Sequence, residues 1–215
     1  MKNNIIIVGS GQHARVVLYN AVCENKFNVV GFITKDEKEI NKVIDGVPII
    51  GTEDMIEKLM EKYDVMGYIL GVGDIKIRRK LINFYNTKNN IKPVTIIHPD
   101  AVIAPNAVIG EGTLIECGCL VTPNPTIGKH CVINTMTGVN HDNILQENVY
   151  LASGITLSGG VSIGKDTLID DGVVITLGKT IGENCIIGAG AVVTKNIEDN
   201  SIAYGVPAKV IKSNA

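Results

Sequence analysis

The sequence contains no tryptophan, and aromatic residues make up only 4% of its 215 positions. A core built around large aromatic side chains is therefore excluded. Hydrophobic residues nevertheless reach 45%, which is ample for a buried interior in a chain long enough for one large or two small domains. Isoleucine, valine and leucine must supply most of this interior, which indicates packing other than that of an ordinary mixed core.

An excess of charge of one sign is also missing. Lysine and arginine contribute 20 residues and aspartate and glutamate 22, without a basic cluster, so a polyanionic partner such as nucleic acid is not expected. No apolar run approaches the roughly 18 residues needed to span a bilayer, and the first residues lead into a strand-like run rather than a signal peptide. We expect a cytoplasmic protein without a nucleic-acid or membrane partner.

The cysteines form no C-x-x-C pair, and their odd number argues against a disulfide framework. We expect them to be small buried hydrophobic side chains in a reducing compartment. They are Cys23, Cys117, Cys119, Cys131 and Cys185.

From residue 97 onward the chain repeats every six residues. Every sixth position is aliphatic without a break: Ile97, Ile103, Ile109, Ile115, Val121, Ile127, Ile133, Val139, Leu145, Leu151, Leu157, Ile163, Ile169, Ile175, Ile181, Ile187 and Val193. This period fits neither a helix nor a hairpin meander and is typical of a parallel β-helix, with the aliphatic column inside and Gly, Asn and Asp at the corners. With three hexapeptides to a coil, the repeats predict roughly six stacked coils.

Residues 1–96 instead alternate between strand-like and helix-like segments. This alternation predicts a small, mostly parallel βαβ sheet that binds ligands at the carboxyl ends of its strands. The predicted strands cover 5–8, 28–32, 47–50, 65–71 and 94–97, and the predicted helices cover 13–25, 53–62 and 75–86. The chain is therefore predicted to contain two domains, 1–96 and 97–215.

Two glycine turns follow strands of the predicted sheet. The first, G-S-G-Q-H-A at 9–14, fits a G-x-G-x-x-G/A turn that leads into a helix and suits a phosphate, although glycine also ends strands for purely steric reasons. The second is G-V-G-D at 71–74, and two such turns at one end of a sheet favour a cleft. A dinucleotide is disfavoured, because Thr34 and Lys35 precede Asp36 where an acidic residue should end the second strand.

Three of the four histidines lie in the repeats. His98, His130 and His141 occupy the second, fourth and third positions of their hexapeptides, so they do not stack in one column. This argues against a trihistidine zinc site within one chain, although histidines from neighbouring subunits could still combine; no metal is expected. A lone histidine at a turn is usually structural or solvated, and spacing alone does not single out His141.

Six segments occur in order along nearly the whole chain: I-V-G-S-G-Q-H-A, G-V-G-D-I-K-I-R-R-K-L, I-I-H-P-D-A-V-I, I-N-T-M-T-G-V-N-H-D, L-S-G-G-V-S-I-G and G-V-P-A-K-V-I. In these segments the chain resembles the NeuD/PglD-like family of sialic-acid O-acetyltransferases and bacillosamine-type nucleotide-sugar N-acetyltransferases. The resemblance implies a Rossmann-like α/β domain for the nucleotide sugar at 1–96. It implies a left-handed parallel β-helix of hexapeptide repeats, with the acetyltransferase site and a C-terminal tail, at 97–215. It also implies a homotrimer that binds acetyl-CoA as co-substrate between neighbouring subunits.

The resemblance also implies roles for individual residues. His141 falls on the general base, and Asp142, where relatives often have Glu, falls on the acid that orients it. The implied substrate-binding positions are Gly11, Gln12, His13, Thr34, Lys35, Gly73 and Asn134. The implied acetyl-CoA-binding positions are Tyr150, Gly159, Gly188, Ala189 and Gly190, with the Gly159 N–H facing the thioester carbonyl.

The chain departs from the family pattern at three places. Gln12 stands where a glycine is usual, Tyr150 where relatives have a histidine that contacts CoA, and Thr34 with Lys35 where an Asp-Asp pair holds the nucleotide. The last departure leaves the identity of the nucleotide open, and even the need for one.

The implied chemistry is direct attack of a sugar group on the thioester, with an imidazole as general base and no covalent intermediate. We expect N-acetylation of a nucleotide-linked amino-deoxy sugar. O-acetylation of sialic acid or a related sugar is the alternative within the enzymes. A non-catalytic hexapeptide scaffold that binds a ligand is the alternative from another class.

Overall fold

The computed structural model describes residues 2–88 and 90–214. The chain divides into two compact units, Met1–Ile97 and His98–Ala215. The first is an α/β unit and the second is a left-handed parallel β-helix, so the predicted fold class is confirmed. In the described part of the chain, no helix combines the length and the apolar character needed to cross a bilayer.

The first unit alternates strands and helices. Its strands are β1 (Asn3–Val8), β2 (Phe27–Thr34), β3 (Val43–Ile44), β4 (Val47–Thr52), β5 (Val65–Leu70), β6 (Lys92–Pro93) and β7 (Ile96–Ile97). Its helices are α1 (Gln12–Glu24), α2 (Ile56–Tyr63) and α3 (Ile75–Asn86), with short 3-10 turns at Glu37–Glu39 and Glu53–Met55.

The strands β1 to β6 form one sheet in the order β3-β4-β2-β1-β5-β6. β1 pairs in parallel with β2 on one side and with β5 on the other. The chain thus reverses its direction of winding next to β1, and in such sheets ligands bind in the crevice at the carboxyl ends of the strands flanking that point. Both glycine turns lie at this end, as the sequence predicts.

Two details differ from the predicted elements. A short strand, β3, pairs antiparallel with β4 across a turn at Asp45 and Gly46. The strand predicted for 94–97 is only partly correct: Ile96 and Ile97 form β7, whereas pairing with β5 covers Lys92 and Pro93 and ends with a hydrogen bond from the Val94 N–H to the Tyr68 carbonyl.

An apolar cluster between the sheet and its helices forms the core of the first unit. The side chains of Ile6, Val8 and Ile33 are fully buried and pack against Ile56 and Leu59 of the α2 segment and against α3. Asp74 begins α3, since its carboxylate accepts a hydrogen bond from the Ile77 N–H at 2.8 Å. This cap fixes α3 directly after the second glycine turn.

The second unit consists of two-residue strands separated by corners, followed by two longer strands at its C-terminal end. They are β8 (Val102–Ile103), β9 (Val108–Ile109), β10 (Leu114–Ile115), β11 (Leu120–Val121), β12 (Thr126–Ile127), β13 (Val132–Ile133), β14 (Gly138–Val139), β15 (Ile144–Leu145), β16 (Tyr150–Leu151), β17 (Thr156–Leu157), β18 (Ser162–Ile163), β19 (Leu168–Ile169), β20 (Val174–Ile175), β21 (Thr180–Ile181), β22 (Ile186–Ile187), β23 (Val192–Val193), β24 (Ser201–Tyr204) and β25 (Lys209–Ser213).

These strands build three parallel sheets, which form the sides of a prism. Face A contains β10, β13, β16, β19, β22 and β24, face B contains β8, β11, β14, β17, β20 and β23, and face C contains β9, β12, β15, β18 and β21. Ile115 pairs with Ile133 and Ile127 with Leu145, so one coil contains 18 residues. β25 closes face A as an antiparallel strand beside β24.

The aliphatic column points inward. From Ile115 to Val193 its members are at most 1% exposed, whereas Ile103 and Ile109, in the first coil, are only partly buried. Every sixth residue from Gly112 to Gly190 has positive φ, and each of these corner positions holds Gly, Asn, Asp, His or Met. Glycine, asparagine and aspartate tolerate this conformation best, which explains their frequency at the corners.

Candidate active site

A pair of adjacent polar side chains meets at one corner of the β-helix. His141 and Asp142 lie between β14 and β15, where face B turns into face C. Asp142 has φ +60°, and this left-handed conformation brings its Oδ2 to 2.9 Å from Nδ1 of His141. The other carboxylate oxygen accepts a hydrogen bond from the amide of Asn124, one coil earlier, at 3.3 Å. The hydrogen bond with His141, and to a smaller extent the one from Asn124, lowers the pKa of Asp142 below its usual value.

Gly159 lies one coil after His141 on the same edge of the prism. A Cβ atom at Gly159 would lie 2.3 Å from Cε1 and Nε2 of the His141 ring, so only glycine leaves room for the imidazole. The backbone is held beside it, since the Gly160 N–H donates to the His141 carbonyl at 2.9 Å. No acceptor among the described residues takes the Gly159 N–H, so this donor is available beside the ring.

A second set of predicted residues lies on a different edge. Asn134 and Gly188 both stand where face A turns into face B, with Ala189 and Gly190 at the exposed corner. Asn134 is 8% exposed, and a Cβ at Gly188 would collide with the ring of Tyr204.

Tyr150 lies in the strand β16, half-buried on face A. Within one chain the structure brings His141, Asp142 and Gly159 together. It does not bring Asn134, Tyr150 or residues 188–190 to that edge.

The surroundings of Asn134 contain a buried acid that the sequence does not single out. Glu116, one coil earlier, is 4% exposed, and its Oε2 accepts the Thr135 N–H at 3.3 Å. Its other oxygen is buried and has no hydrogen-bond partner among the described residues. Burial raises the pKa of Glu116 to about 7. The Cys119 thiol donates to the Asn134 carbonyl at 3.1 Å. Both the carbonyl and the N–H of the peptide group between Asn134 and Thr135 are therefore hydrogen-bonded to the preceding coil.

The two glycine turns of the first unit are in direct contact. A Cβ at Gly9 would lie 2.8 Å from the Gly71 carbonyl oxygen, and the Gly71 N–H donates to the Val8 carbonyl at 2.7 Å. Gly11 begins α1 without a side-chain cap, and Gln12 is exposed as the first residue of that helix. The positive end of the α1 dipole therefore lies at this end of the sheet.

Thr34 and Lys35 end β2 next to the first turn. The Thr34 hydroxyl donates to Oε2 of Glu39 at 2.8 Å, and the Ser10 hydroxyl donates to the same oxygen at 2.9 Å. The hydrogen bond from Thr34, and to a smaller extent the one from Ser10, lowers the pKa of Glu39. Lys35 is exposed. An acidic side chain thus lies beside the end of β2, but it comes from the 3-10 turn that follows, and no motif in the sequence indicates it.

A buried arginine stands behind these turns. Arg78 of α3 is 1% exposed and donates to the Val72 carbonyl at 3.0 Å. Burial, and then the charge of Arg78, lowers the pKa of His13 to about 4. His13 is therefore neutral near pH 7 and brings no charge to a phosphate. Gly73, half-buried, precedes the capping residue of α3.

One group of possible metal ligands occurs among the described residues. The ligand atoms of His98, Asp100 and Cys117 lie within 4.8 Å of one another. However, Nδ1 of His98 already accepts the Asp100 N–H at 3.1 Å, so it offers no free lone pair. His98, His130 and His141 stand on three different edges and cannot share an ion within one chain.

The geometry can be compared with known proteins. Residues 4–84 match the family model described as the PglD N-terminal domain. The chain is similar to PerB from Caulobacter crescentus, whose structure contains CoA and GDP-perosamine. The identity is 30%, 98% of each chain is covered, and the TM-score is 0.90. A variant of the perosamine N-acetyltransferase from that organism, with one histidine replaced by asparagine, was solved with the same ligands. It is 29% identical at a TM-score of 0.91, again with 98% of each chain covered.

A third similar structure comes from a different organism. The acetyltransferase domain of PglB from Neisseria gonorrhoeae, in complex with acetyl coenzyme A, is 28% identical at a TM-score of 0.89. The match covers 98% of this chain and 100% of that domain. Both units of the chain therefore have counterparts in these relatives.

Proposed function

This chain belongs to the NeuD/PglD-like family of sugar acetyltransferases, and we propose that it acetylates the amino group of a nucleotide-linked amino-deoxy sugar. Its relatives at 28–30% identity include acetyl-CoA-dependent sugar N-acetyltransferases, so it is an enzyme of that type. The observation that carries the proposal is the hydrogen-bonded pair of His141 and Asp142 beside the available Gly159 N–H.

His141 is the proposed general base. The ionised Asp142 accepts a hydrogen bond from Nδ1–H, which fixes the tautomer and leaves Nε2 free to accept a proton. The neutral amine attacks the thioester carbonyl, Nε2 takes the proton that the nitrogen loses, the amide bond forms and the C–S bond breaks. General-base catalysis of this kind contributes about 10²–10⁴-fold. The departing CoA thiolate can recover that proton.

The Gly159 N–H is the proposed donor to the oxyanion. It lies next to the ring that takes the proton, Gly159 has no side chain, and no described residue accepts this N–H. These features fit the thioester carbonyl of acetyl-CoA as a substrate. A backbone donor aimed at the developing negative charge lowers the barrier by about 3 kcal/mol in comparable sites.

The first unit is the proposed nucleotide-sugar domain. Its support is the match of residues 4–84 to the PglD N-terminal domain and the GDP-perosamine bound by the Caulobacter relative. The turn at Gly11 to His13, the residues Thr34 and Lys35, and Gly73 lie at the crevice end of its sheet. The α1 N-terminus suits a diphosphate there.

The proposed assembly is a homotrimer with its active sites between neighbouring copies. His141 and Asn134 stand on different edges of the prism, so one chain does not bring them together. Packing of flat faces about a threefold axis would bring one edge of a copy close to another edge of its neighbour. The site would then combine His141, Asp142 and Gly159 of one copy with Asn134 and, along the pantetheine path, residues 188–190 of the next.

The test is transfer of radiolabelled acetyl from acetyl-CoA to GDP- and UDP-linked 4-amino-4-deoxy sugars by the full-length protein. Product formation that is lost in His141→Ala supports the enzyme. If the amino sugars remain unmodified while a sialic acid is O-acetylated, N-acetylation is wrong. Transfer to no acceptor, with ligand binding retained, would favour the non-catalytic scaffold.

A further inference from the structure

The crevice end of the first unit contains two adjoining cavities. One has a volume of about 330 Å³ and an apolar wall formed by Ile33, Val72, Ile77 and Leu81. Glu39 and Glu53 both face this cavity. Its size and its mixture of an apolar wall with a few polar groups are typical of a small-molecule site. The apolar wall can contact a flat aromatic ring, and the carboxylates can accept hydrogen bonds from its edge.

The second cavity has a volume of about 400 Å³ and contains two positively charged side chains, whereas the first contains mainly carboxylates. It shares Ser10 and Glu39 with the first, and Gln12 at the start of α1, Arg15 and Lys42 complete its polar lining. Two cations and the positive end of a helix dipole suit a diphosphate. A nucleoside diphosphate therefore fits with its phosphates in this second cavity and its base in the first.

Glu39 stands at the junction of the two cavities. Hydrogen bonds from Ser10 and Thr34 to Oε2 fix its carboxylate, while Oε1 is oriented towards Lys42. In sheets of this kind an acidic residue after the second strand accepts the ribose hydroxyl groups. Glu39 occupies that place, although it comes from the 3-10 turn and not from the strand.

Glu53 follows β4 and lines the first cavity but not the second. Neither of its oxygens accepts a hydrogen bond from any described residue of the chain, so both are available to a ligand. The remaining charged residues that line the cavity in the described chain are Lys35 and Asp36, both exposed. The partly buried part of the lining thus presents carboxylate acceptors and no side-chain cation.

The nucleobases differ in the hydrogen-bond donors and acceptors that they would present to this wall. Guanine presents two neighbouring donors, N1–H and the N2 amino group, which pair with both oxygens of one carboxylate. Uracil and thymine present one N–H between two carbonyl oxygens, which would face the carboxylate unfavourably. Adenine and cytosine present one amino group beside an unprotonated ring nitrogen, which requires a donor instead. Because the Ser10 and Thr34 hydroxyls already donate to Glu39, the side-chain groups that the partly buried wall offers to a base are carboxylates, and this favours guanine.

We propose that the first unit selects a GDP-linked sugar, with the guanine against Ile77 and Leu81 and its N1–H and N2 amino group on Glu53. Glu39 accepts a ribose hydroxyl, and Arg15 and Lys42 bind the diphosphate. This inference rests on the proposed function and adds to it the identity of the nucleotide. It also accounts for the departure at Thr34 and Lys35, because Glu39 replaces the missing acid.

Isothermal titration of the full-length protein with GDP, IDP, UDP, dTDP and ADP tests the assignment. IDP lacks only the N2 amino group, so it isolates one of the two hydrogen bonds. We expect GDP to bind at least about tenfold more tightly than each of the others. In Glu53→Gln, whose amide pairs with only one of the two donors, the difference between GDP and IDP should disappear.

Asp54→Asn is the matched control, because Asp54 is the neighbouring acid and lies outside the cavity, where it accepts a hydrogen bond from Thr52. It should bind GDP as the wild type does. Equal binding of GDP and UDP, or an unchanged GDP preference in Glu53→Gln, would overturn the guanine assignment while transfer to amino sugars still supported the enzyme. Loss of both nucleotide binding and transfer would instead reject the proposed function and this inference together.

Discussion

The Nδ1 atom of His141 lies 2.9 Å from Oδ2 of Asp142, although the two residues are neighbours in the chain. In an extended strand their side chains would point to opposite faces. The corner removes this obstacle, because Asp142 has φ +60° and the chain turns between the two side chains. The hexapeptide repeat therefore provides a histidine and carboxylate pair from consecutive residues, and hydrogen bonds from Asn124 and Gly160 tie that corner to the coils before and after it.

Replacement of His141 by alanine should lower kcat by at least about 100-fold, because no other described side chain at this corner can take a proton near neutral pH. Its side chain is 59% exposed, so folding should be unaffected. Lys129→Ala is the control, since Lys129 has the same place in its hexapeptide on another edge and is 59% exposed as well. Steady-state kinetics and thermal unfolding of both variants check this. A folded His141→Ala protein with most of its activity would reject His141 as the base.

Replacement of Asp142 by asparagine should lower kcat by about tenfold, less than the loss of His141. The pKa of Asp142 is held below its usual range by His141 and Asn124, so the carboxylate is ionised at every pH above that range. The loss should therefore be the same from about pH 8 to 9, where an ordinary imidazole is neutral whether or not a carboxylate lies beside it. The ratio of wild-type to variant kcat across this range is the measurement. A ratio that changes steeply with pH would show that Asp142 gains or loses its proton there and does more than orient the ring.

The six-residue repeat made the fold of the second unit predictable from the sequence, but it did not indicate every residue near the candidate sites. Each inward position from Ile115 to Val193 could be assigned, since a strict period of six leaves one possible frame. The short strand β3 also had a signal in the sequence, because Asp45-Gly46 between apolar residues favours a tight hairpin turn. This signal was not used in the sequence analysis.

Two acidic residues that the sequence does not single out, Glu39 and Glu116, owe their environments to tertiary contacts. Glu39 has no motif around it and reaches Ser10 and Thr34 only because the chain folds back in a 3-10 turn after β2. Glu116 occupies a corner position that is exposed at the equivalent Gln146, so periodicity could not indicate its burial. Sequence patterns identify which face a residue occupies, whereas burial and hydrogen bonds between distant segments determine its charge.

Replacement of Gly159 by alanine should lower kcat by at least about tenfold, because the new methyl group would lie 2.3 Å from the His141 ring and displace it. The control is Gly138→Ala, whose Cβ would meet only the Ile155 carbonyl oxygen at 3.9 Å. Both proteins should form the β-helix, as judged by circular dichroism. Full activity of Gly159→Ala would show that the ring can move without loss and that the observed position of His141 is not the working one.

Replacement of Glu116 by glutamine should stabilise the protein above neutral pH. The pKa of Glu116 is about 7 when folded and near 4.5 when unfolded, so the folded state holds a proton that the unfolded state releases between these values. The stabilisation from this group is complete below pH 4.5 and is lost as the pH rises through 7, by at most about 3 kcal/mol. Glutamine lacks this titration and can still accept the Thr135 N–H.

Urea unfolding at pH 5 and pH 8 measures the effect. The stability gained by Glu116→Gln should be larger at pH 8 than at pH 5. Gln146→Glu places a carboxylate at the equivalent but exposed corner, where Gln146 accepts the Lys165 N–H at 3.1 Å, and should show no such difference. Equal stability changes at both pH values would mean that Glu116 is ionised in the folded protein throughout.

Mixed assemblies should recover activity that two single variants lack, because His141 and Asn134 lie on different edges of one prism. If each active site joins His141 of one copy to Asn134 of its neighbour, His141→Ala and Asn134→Ala chains can complement each other. When the two are unfolded together and refolded in equal amounts, each site receives an intact His141 with probability one half and an intact Asn134 with the same probability. About a quarter of the sites should then be complete, so the mixture should regain about a quarter of the wild-type activity.

The reference is the two variants refolded separately and mixed afterwards. If refolding together gives no more activity than this reference, while Asn134→Ala alone is impaired, each site must be complete within a single chain.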